Sequence, residues 1–409
     1  MLSDPILAFK GRNKANWLTY VLFAIVACFS MLIFYRAYNL VDGDMYTHAQ
    51  VAGAFRFTDL HTITERTTYP LWHVSVSVLY QLGIPLQWSA ALITTIAKMF
   101  TMVLVWKLVR YYTKDSVSVN VVNLATFFLM FVTGVRISSI NENVYRPIGS
   151  PTVWHNPTQI TVLAFAILCT TLLMHCHYQF MTLHKKEKVV LPIKTVLLLT
   201  GSLLLCVVSK PTYVQALIPA SILFFAYSWA RHIKQWRYFC QIIFAFLPVS
   251  LYFLMQYLYH TGVLVPYTSG VALELTSKTF WSTIRNVLMM NAFPLCALAA
   301  CYHKGLWKDS KLHLLLLMLL VSAVEAMTLH EIGARFGHGN FFWAGMSVSF
   351  LLWIYTLTLY AKTSIDFLHN SQKSVGRGLG LSIATVLLLW HMYSSFYYAI
   401  HLYVNRVTF

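Results

Sequence analysis

Asp42-Gly43-Asp44-Met45-Tyr46-Thr47-His48 places two carboxylates two residues apart and an imidazole four residues after the second. In a helix that begins at Asp44, the side chains of Asp44 and His48 share a face. Carboxylates fixed at a membrane surface can deprotonate a hydroxyl or hold a cation. Asp44 also suits a plainer role, opening a helix after a glycine turn, where free N–H groups favour a carboxylate. The D-x-D alone does not choose between these roles.

Further chemistry-bearing residues cluster in four places. The first loop continues through Arg56, Asp59, Glu65 and Arg66 into Tyr69-Pro70-Leu71-Trp72-His73. A second segment runs from Arg136 through Glu142, Arg146 and Gly149 to Trp154-His155-Asn156-Pro157. There His155 and Asn156 could hydrogen-bond a sugar or phosphate, although Trp and Asn-Pro also mark an ordinary interfacial helix start. Ser209-Lys210-Pro211 puts a lysine at a tight turn, as punctuation or as a point charge for an anionic headgroup. The fourth is Glu331-Ile-Gly333-Ala-Arg335-Phe-Gly337-His338-Gly339-Asn340. Its glycines let backbone approach a ligand, and it feeds a helix N-terminus suited to anions. Glu325, just before it, is an acid near the end of an apolar segment.

The elements that must position these residues are membrane helices. The 409 residues are 58% hydrophobic and 11% charged, with a mean hydropathy of +0.62. Soluble domains carry about 25% charged residues. Segments of about twenty apolar residues fall near 17–36, 88–109, 117–135, 159–180, 190–208, 212–230, 238–258, 284–302, 312–329, 341–361 and 379–399. The expected fold is all-α, a polytopic transmembrane bundle of about eleven spans. Residues 1–409 form one integral membrane domain with a first outer loop over 37–87 and no separate soluble domain. Residues 69–83 are short for a span and read as an interfacial or re-entrant helix inside that loop. The seven cysteines are scattered and mostly within apolar runs, with no C-x-x-C, and are not expected to form disulfides.

Charge orders the spans. With 69–83 kept from crossing, every second loop is lysine-rich, from Lys10/Arg12/Lys14 to Lys362/Lys373/Arg377. The positive-inside rule makes those loops cytoplasmic, with the N-terminus inside and the C-terminus outside. The net charge of +17 is then topology plus attraction to membrane lipids, and calls for no nucleic acid. The opposite face holds mostly arginine, which recognises phosphate bidentately, and most of the acids. No Walker loop, dinucleotide fingerprint, H-E-x-x-H or nucleophile elbow is present. An enzyme of this shape takes an activated substrate already in the membrane.

This layout resembles the GT-C glycosyltransferases, polytopic enzymes that use polyprenyl-phosphate-linked sugars on the outer or luminal side. The resemblance rests on a first span followed by a long loop opening with Asp42-Gly43-Asp44, the amphipathic Tyr69-Pro70-Leu71-Trp72 helix within that loop, and later outer loops rich in Arg and His. It implies a GT-C-like bundle in which Asp44 or Asp42 is the catalytic base. It further implies an inverting displacement from a polyprenyl-phosphate sugar donor to a glycan or lipid-linked acceptor, in cell-envelope glycan assembly. His48, Arg66, His73, Arg146, His155, Asn156, Lys210, Glu331, Arg335 and His338 are the candidate substrate-binding residues. No cofactor is certain, but Asp42 and Asp44 could hold a divalent cation, Mg or Mn. A bacterial plasma membrane is the expected location, with the active site extracytoplasmic. Two other classes stay open: a polysaccharide polymerase or ligase joining lipid-linked oligosaccharides, and a lipid-linked glycan transporter or flippase without chemistry. A transporter would be expected to show repeated halves and a polar pathway at mid-membrane. The sequence shows no repeat, and Lys98 and Lys194 stand isolated.

Overall fold

The residues described in a computed structural model of the chain are 6, 9, 15–41, 43–58, 61–64, 66–113, 116–140, 149–185, 188–260, 271–302, 305–332, 340–369 and 374–404. Asp42, Arg146, Arg335 and His338 lie outside them, as do Asp59, Glu65 and Glu142. Helices run in the order α1 (Trp17–Tyr38), α2 (Asp44–Gly53), α3 (His61–Thr64), α4 (Leu71–Gln81), α5 (Leu86–Thr113), α6 (Val119–Leu129), α7 (Pro157–Leu183), α8 (Ile193–Ser209), α9 (Thr212–Arg231), α10 (Trp236–His260), α11 (Ser277–Met290), α12 (Ala292–Ala300), α13 (Ser310–Thr328), α14 (Trp343–His369) and α15 (Val375–Val404). One antiparallel strand pair, Val271–Leu273 with Leu329–Glu331, is the only sheet among the described residues. The protein is thus an all-α bundle of membrane character.

Eight of the described helices are long and apolar enough to cross a membrane, and a ninth if α11 and α12 are one broken span. The remaining two expected spans are shorter. α8 has 17 residues. The apolar run 117–135 is helical only over Val119–Leu129, and Val132–Ile137 then has no regular secondary structure. β-Branched Val132, Thr133 and Val135 around Gly134 disfavour helix there.

Backbone held in an apolar interior must have its polar groups satisfied within the protein. Ser395 Oγ accepts from Thr133 N at 3.2 Å, and Ser394 Oγ accepts from Arg136 N at 2.9 Å. Thr133 O accepts from His391 Nδ1 at 2.7 Å. The α11–α12 break, bent by 63°, has its own cause. Pro294 cannot donate to Met290 O and clashes with it, and that carbonyl accepts the Trp353 indole N–H at 2.9 Å instead. Phe293 N, freed by the same break, donates to His391 Nε2 at 3.4 Å. His391 therefore fastens both interruptions, with its proton on Nδ1 and its lone pair on Nε2. His391→Phe leaves two buried backbone groups unmet, at about 1–3 kcal/mol each. A clearly lower unfolding temperature in detergent is expected, and an unchanged one would show that other groups replace the imidazole.

Hydrogen bonds sort the helix ends into two groups. At one end, Asn16 joins Asn120 and Asn123, Val189 and His184 join Gln235, and Lys311 lies over Tyr112. At the other, Arg36 donates to Tyr403 O, Tyr252 and Gln256 donate to Thr68 O, and His330 meets Glu274 O. α4 has 11 residues, about 16 Å of helix, too short to cross. Both the start of α4 and the start of α5 belong to the second end, as expected of a segment that does not traverse the bundle. α7 and α14 are the most enclosed helices of the bundle, and their N-termini open onto this second end. Gly149, at φ +83°, sits where a Cβ would fall 2.7 Å from Met346 Cε and 3.0 Å from Phe342. A side chain there would push the approach to α7 away from the start of α14.

Candidate functional site

Asn156 is the hub. As N-cap of α7, ahead of Pro157, its Oδ1 accepts from Gln159 N at 2.9 Å. The same oxygen accepts from Thr158 Oγ1 at 2.8 Å and from Lys210 Nζ at 3.1 Å. Three donors on one atom fix the orientation of the carboxamide. Its Nδ2 then points the other way and donates to Asp44 Oδ2 at 2.6 Å. The same nitrogen lies 3.4 Å from His48 Nε2. The helix start at Asn156 and the cross-bundle contacts to Asp44 and Lys210 therefore come from one side chain.

Asp44 opens α2, and Gly43, its N-cap, makes no side-chain capping bond. The carboxylate gains from the helix N-terminus, but its hydrogen bond goes across the bundle to Asn156. Its side chain is 44% exposed, against 14% for His48, so an incoming hydroxyl can reach it. One turn on, His48 Nε2 stands 3.7 Å from Asp44 Oδ1. On its other side His48 Nδ1 meets His73 Nε2 at 2.9 Å. Burial lowers the His48 pKa to about 3, with Lys210 adding to the shift. His73 is lowered well below the usual histidine value, again mainly by burial. Both rings are neutral near pH 7.

Lys210 terminates α8 with extended backbone, and its N–H closes on Cys206 O at 2.9 Å. Its side chain is buried, its ammonium touching Asn156 Oδ1 on one side and lying 3.9 Å from the Trp343 ring centroid on another. Desolvation lowers its pKa to about 7, and the Asp44 charge opposes that shift. Trp343 begins α14, and the His155 ring packs 5.5 Å from it. Gln159 ties three helix starts together. Its amide donates to Ser347 Oγ at 2.7 Å and Trp343 O at 3.3 Å, and its oxygen accepts from Thr212 Oγ1 at 3.1 Å.

A second layer supports the first. Thr94 on α5 donates to Ala90 O at 2.7 Å, leaving its oxygen to accept from Tyr38 OH at 2.6 Å and Trp72 Nε1 at 3.1 Å. This pins the end of α1, and the residue beside His73, to one point. One turn further along α5, the buried Lys98 sets its ammonium 3.9 Å from the Trp154 ring centroid. That ammonium has no hydrogen-bond partner among the described residues. Phe29, Phe34 and Phe131 complete the surround of Trp154.

Of the residues expected from sequence, Asp44, His48, His73, Asn156 and Lys210 form one connected cluster, with His155 beside it against Trp343. Arg66 is exposed in the turn after α3, and Glu331 is paired opposite Val271 in the strand ladder. Trp343, Gln159, Thr94, Trp72 and Lys98 complete the site and were not among the expected residues. Gln159 and Lys98 carried a signal, as polar side chains inside otherwise apolar segments.

Of the Asp42 and Asp44 pair that could hold a divalent cation, the described residues include Asp44 alone. Mg and Mn want several oxygen ligands. Asp44 supplies one carboxylate, already bound to an amide, with an ammonium on the far side of the same amide. Among the described residues no group of three or more His, Cys, Asp or Glu could hold a metal ion, and Asp42 lies outside them. Set beside known proteins, the chain matches no family model and no curated protein.

Proposed function

We propose that the chain is a membrane glycosyltransferase that moves a sugar from a polyprenyl-phosphate donor to an acceptor hydroxyl. One observation carries this reading: an accessible carboxylate and a buried lysine hold opposite ends of one carboxamide, at one end of a membrane bundle. Sugar transfer from a lipid phosphate needs a base for the acceptor and a cation for the leaving phosphate, and these are the two groups supplied. Asp44 takes the proton of the acceptor hydroxyl. The acceptor oxygen bonds to the anomeric carbon from the face opposite the leaving group. The bond from that carbon to the phosphate oxygen breaks, and its electron pair leaves with the lipid phosphate. Lys210 meets that charge, while Trp343 offers an apolar and π surface beside it. Asn156 keeps base and cation in fixed relation. No step passes through a metal.

An extracytoplasmic site and a cytoplasmic N-terminus are part of this reading, and the lysine-rich loops of the sequence support it through the positive-inside rule. A bacterial plasma membrane and cell-envelope glycan assembly fit a donor of this class. Purified protein supplied with radiolabelled polyprenyl-phosphate sugars and a membrane-lipid extract tests the reading. Label moving onto an acceptor supports it. Lengthening of lipid-linked oligosaccharides would mark a polymerase or ligase, and movement of the lipid across the bilayer without a new bond would mark a transporter.

A further inference from the structure

Resting on that reading, the hydrogen-bond directions around His48 assign it a role that its position on α2 alone does not. The three donors converging on Asn156 Oδ1 leave Nδ2 facing Asp44 and His48. An amide N–H directed at His48 Nε2 from 3.4 Å meets a lone pair there, not a second proton. The proton of neutral His48 is therefore on Nδ1, and it donates to His73 Nε2 at 2.9 Å. Asp44 Oδ1 stands 3.7 Å from His48 Nε2. Nε2 has one lone pair, and the long 3.4 Å amide contact on it yields to a stronger O–H donor once Asp44 carries a proton.

We propose that His48 is a positioning residue for the base: once Asp44 has taken the acceptor's proton, the carboxyl O–H is held by His48 Nε2. The proton enters on Asp44 Oδ1 as the acceptor O–H bond breaks and the acceptor oxygen bonds to the anomeric carbon with departure of the lipid phosphate, and the new carboxyl O–H turns into the gap to Nε2. His73 sets the polarity of the pair by accepting from His48 Nδ1, which keeps the Nε2 lone pair on the Asp44 side. The charged and titratable groups facing His48 are Asp44 on its own helix, His73 on α4 and Lys210 at the end of α8. Lys210 and burial disfavour an imidazolium, so the ring stays an acceptor over the pH range in which a carboxylate base works. The Trp72 ring, edge-on with centroids 6.2 Å apart, closes the remaining side.

Two readouts test the assignment. Nitrogen-15 NMR of histidine-labelled protein in detergent or nanodiscs reports the tautomer without any substrate. Neutral His48 with its proton on Nδ1 is expected, and the Nε2–H tautomer would overturn the proposal. Kinetics supply the second. His48→Phe keeps a ring and removes the lone pair, and is expected to lower turnover by about 10- to 100-fold, with donor affinity near that of the wild type. His48→Gln can place a carbonyl oxygen near the position of Nε2 and should recover most of that loss. A purely structural His48 would not distinguish Phe from Gln in this way. Undiminished turnover in His48→Phe, or equal losses in both variants, rejects the role of His48 alone. Absence of transfer by the wild type instead rejects the sugar-transfer reading, and the role in turnover with it, while the tautomer still reports whether the lone pair faces Asp44.

Discussion

Asp44→Asn is expected to leave a folded protein whose transfer rate falls by about 10²- to 10⁴-fold, the usual cost of removing a general base. The substitution is mild for the structure. The new amide oxygen can still accept from Asn156 Nδ2, which now binds Asp44 Oδ2 at 2.6 Å. The new amide N–H can meet the His48 lone pair across the 3.7 Å gap. Loss of the charge at the first turn of α2 costs a few tenths to about 1 kcal/mol. Unfolding temperature should therefore move little while turnover collapses. Measured together on purified protein, near-normal turnover would return Asp44 to a helix-opening role, and collapse of both quantities would show a structural carboxylate.

The second large effect lies at Lys210. Burial lowers its pKa to about 7, so Lys210 titrates near neutral pH. An anion binds the protonated form. A bound phosphate raises the lysine pKa towards its ordinary range, so binding and proton uptake are linked. The sign follows directly. Below about pH 7 the lysine is already charged and donor affinity is flat. Above it affinity falls, by up to about tenfold per pH unit, until the pKa of the bound state is reached. A phosphodiester donor keeps a single charge throughout that range, so the slope belongs to the protein. Lys210→Met should bind weakly at every pH. Lys210→Arg should lose the slope, because guanidinium does not titrate there, although its planar fork fits the pocket over Trp343 less well. Donor titrations across about pH 6 to 9 separate these cases, and a wild-type affinity without pH dependence would remove Lys210 from the phosphate.

How much of this could be read in advance depended on whether the rule involved was local. The Asp44–His48 pair was legible because residues four apart on a helix must share a face. Asn156 stood out as a helix start, and Lys210 as a lysine at the wrong end of a charge pattern. Their meeting was not legible. It depends on four helix ends, at 44, 73, 156 and 210, being brought to one point, and no short-range pattern encodes that. Thr94 gives no signal in the sequence and Gln159 gives one without a direction, because a hydroxyl or amide inside a span can satisfy itself on its own helix. Only the neighbours Tyr38, Trp72, Ser347 and Thr212 show that these two bind across helices. In the sequence Lys98 reads as isolated from other charges, yet it lies over Trp154, two residues from the hub. The count of about eleven spans came from hydropathy, which measures apolarity and not continuity of backbone. The Val132–Ile137 stretch, which has no regular secondary structure, is mostly apolar all the same, and its break is visible only in the side chains that satisfy it. The bend at Asn291 did carry a signal, Pro294.

The most direct test follows both products of one turnover. Purified protein in nanodiscs receives a polyprenyl-phosphate sugar labelled in the sugar, together with its acceptor extract. If Asp44 and Lys210 act as base and phosphate cation, labelled glycan and free polyprenyl phosphate appear in about equal amounts, with the anomeric configuration inverted and no added metal required. Retained configuration, or labelled lipid recovered intact however long the protein is incubated, would contradict a direct displacement at this site.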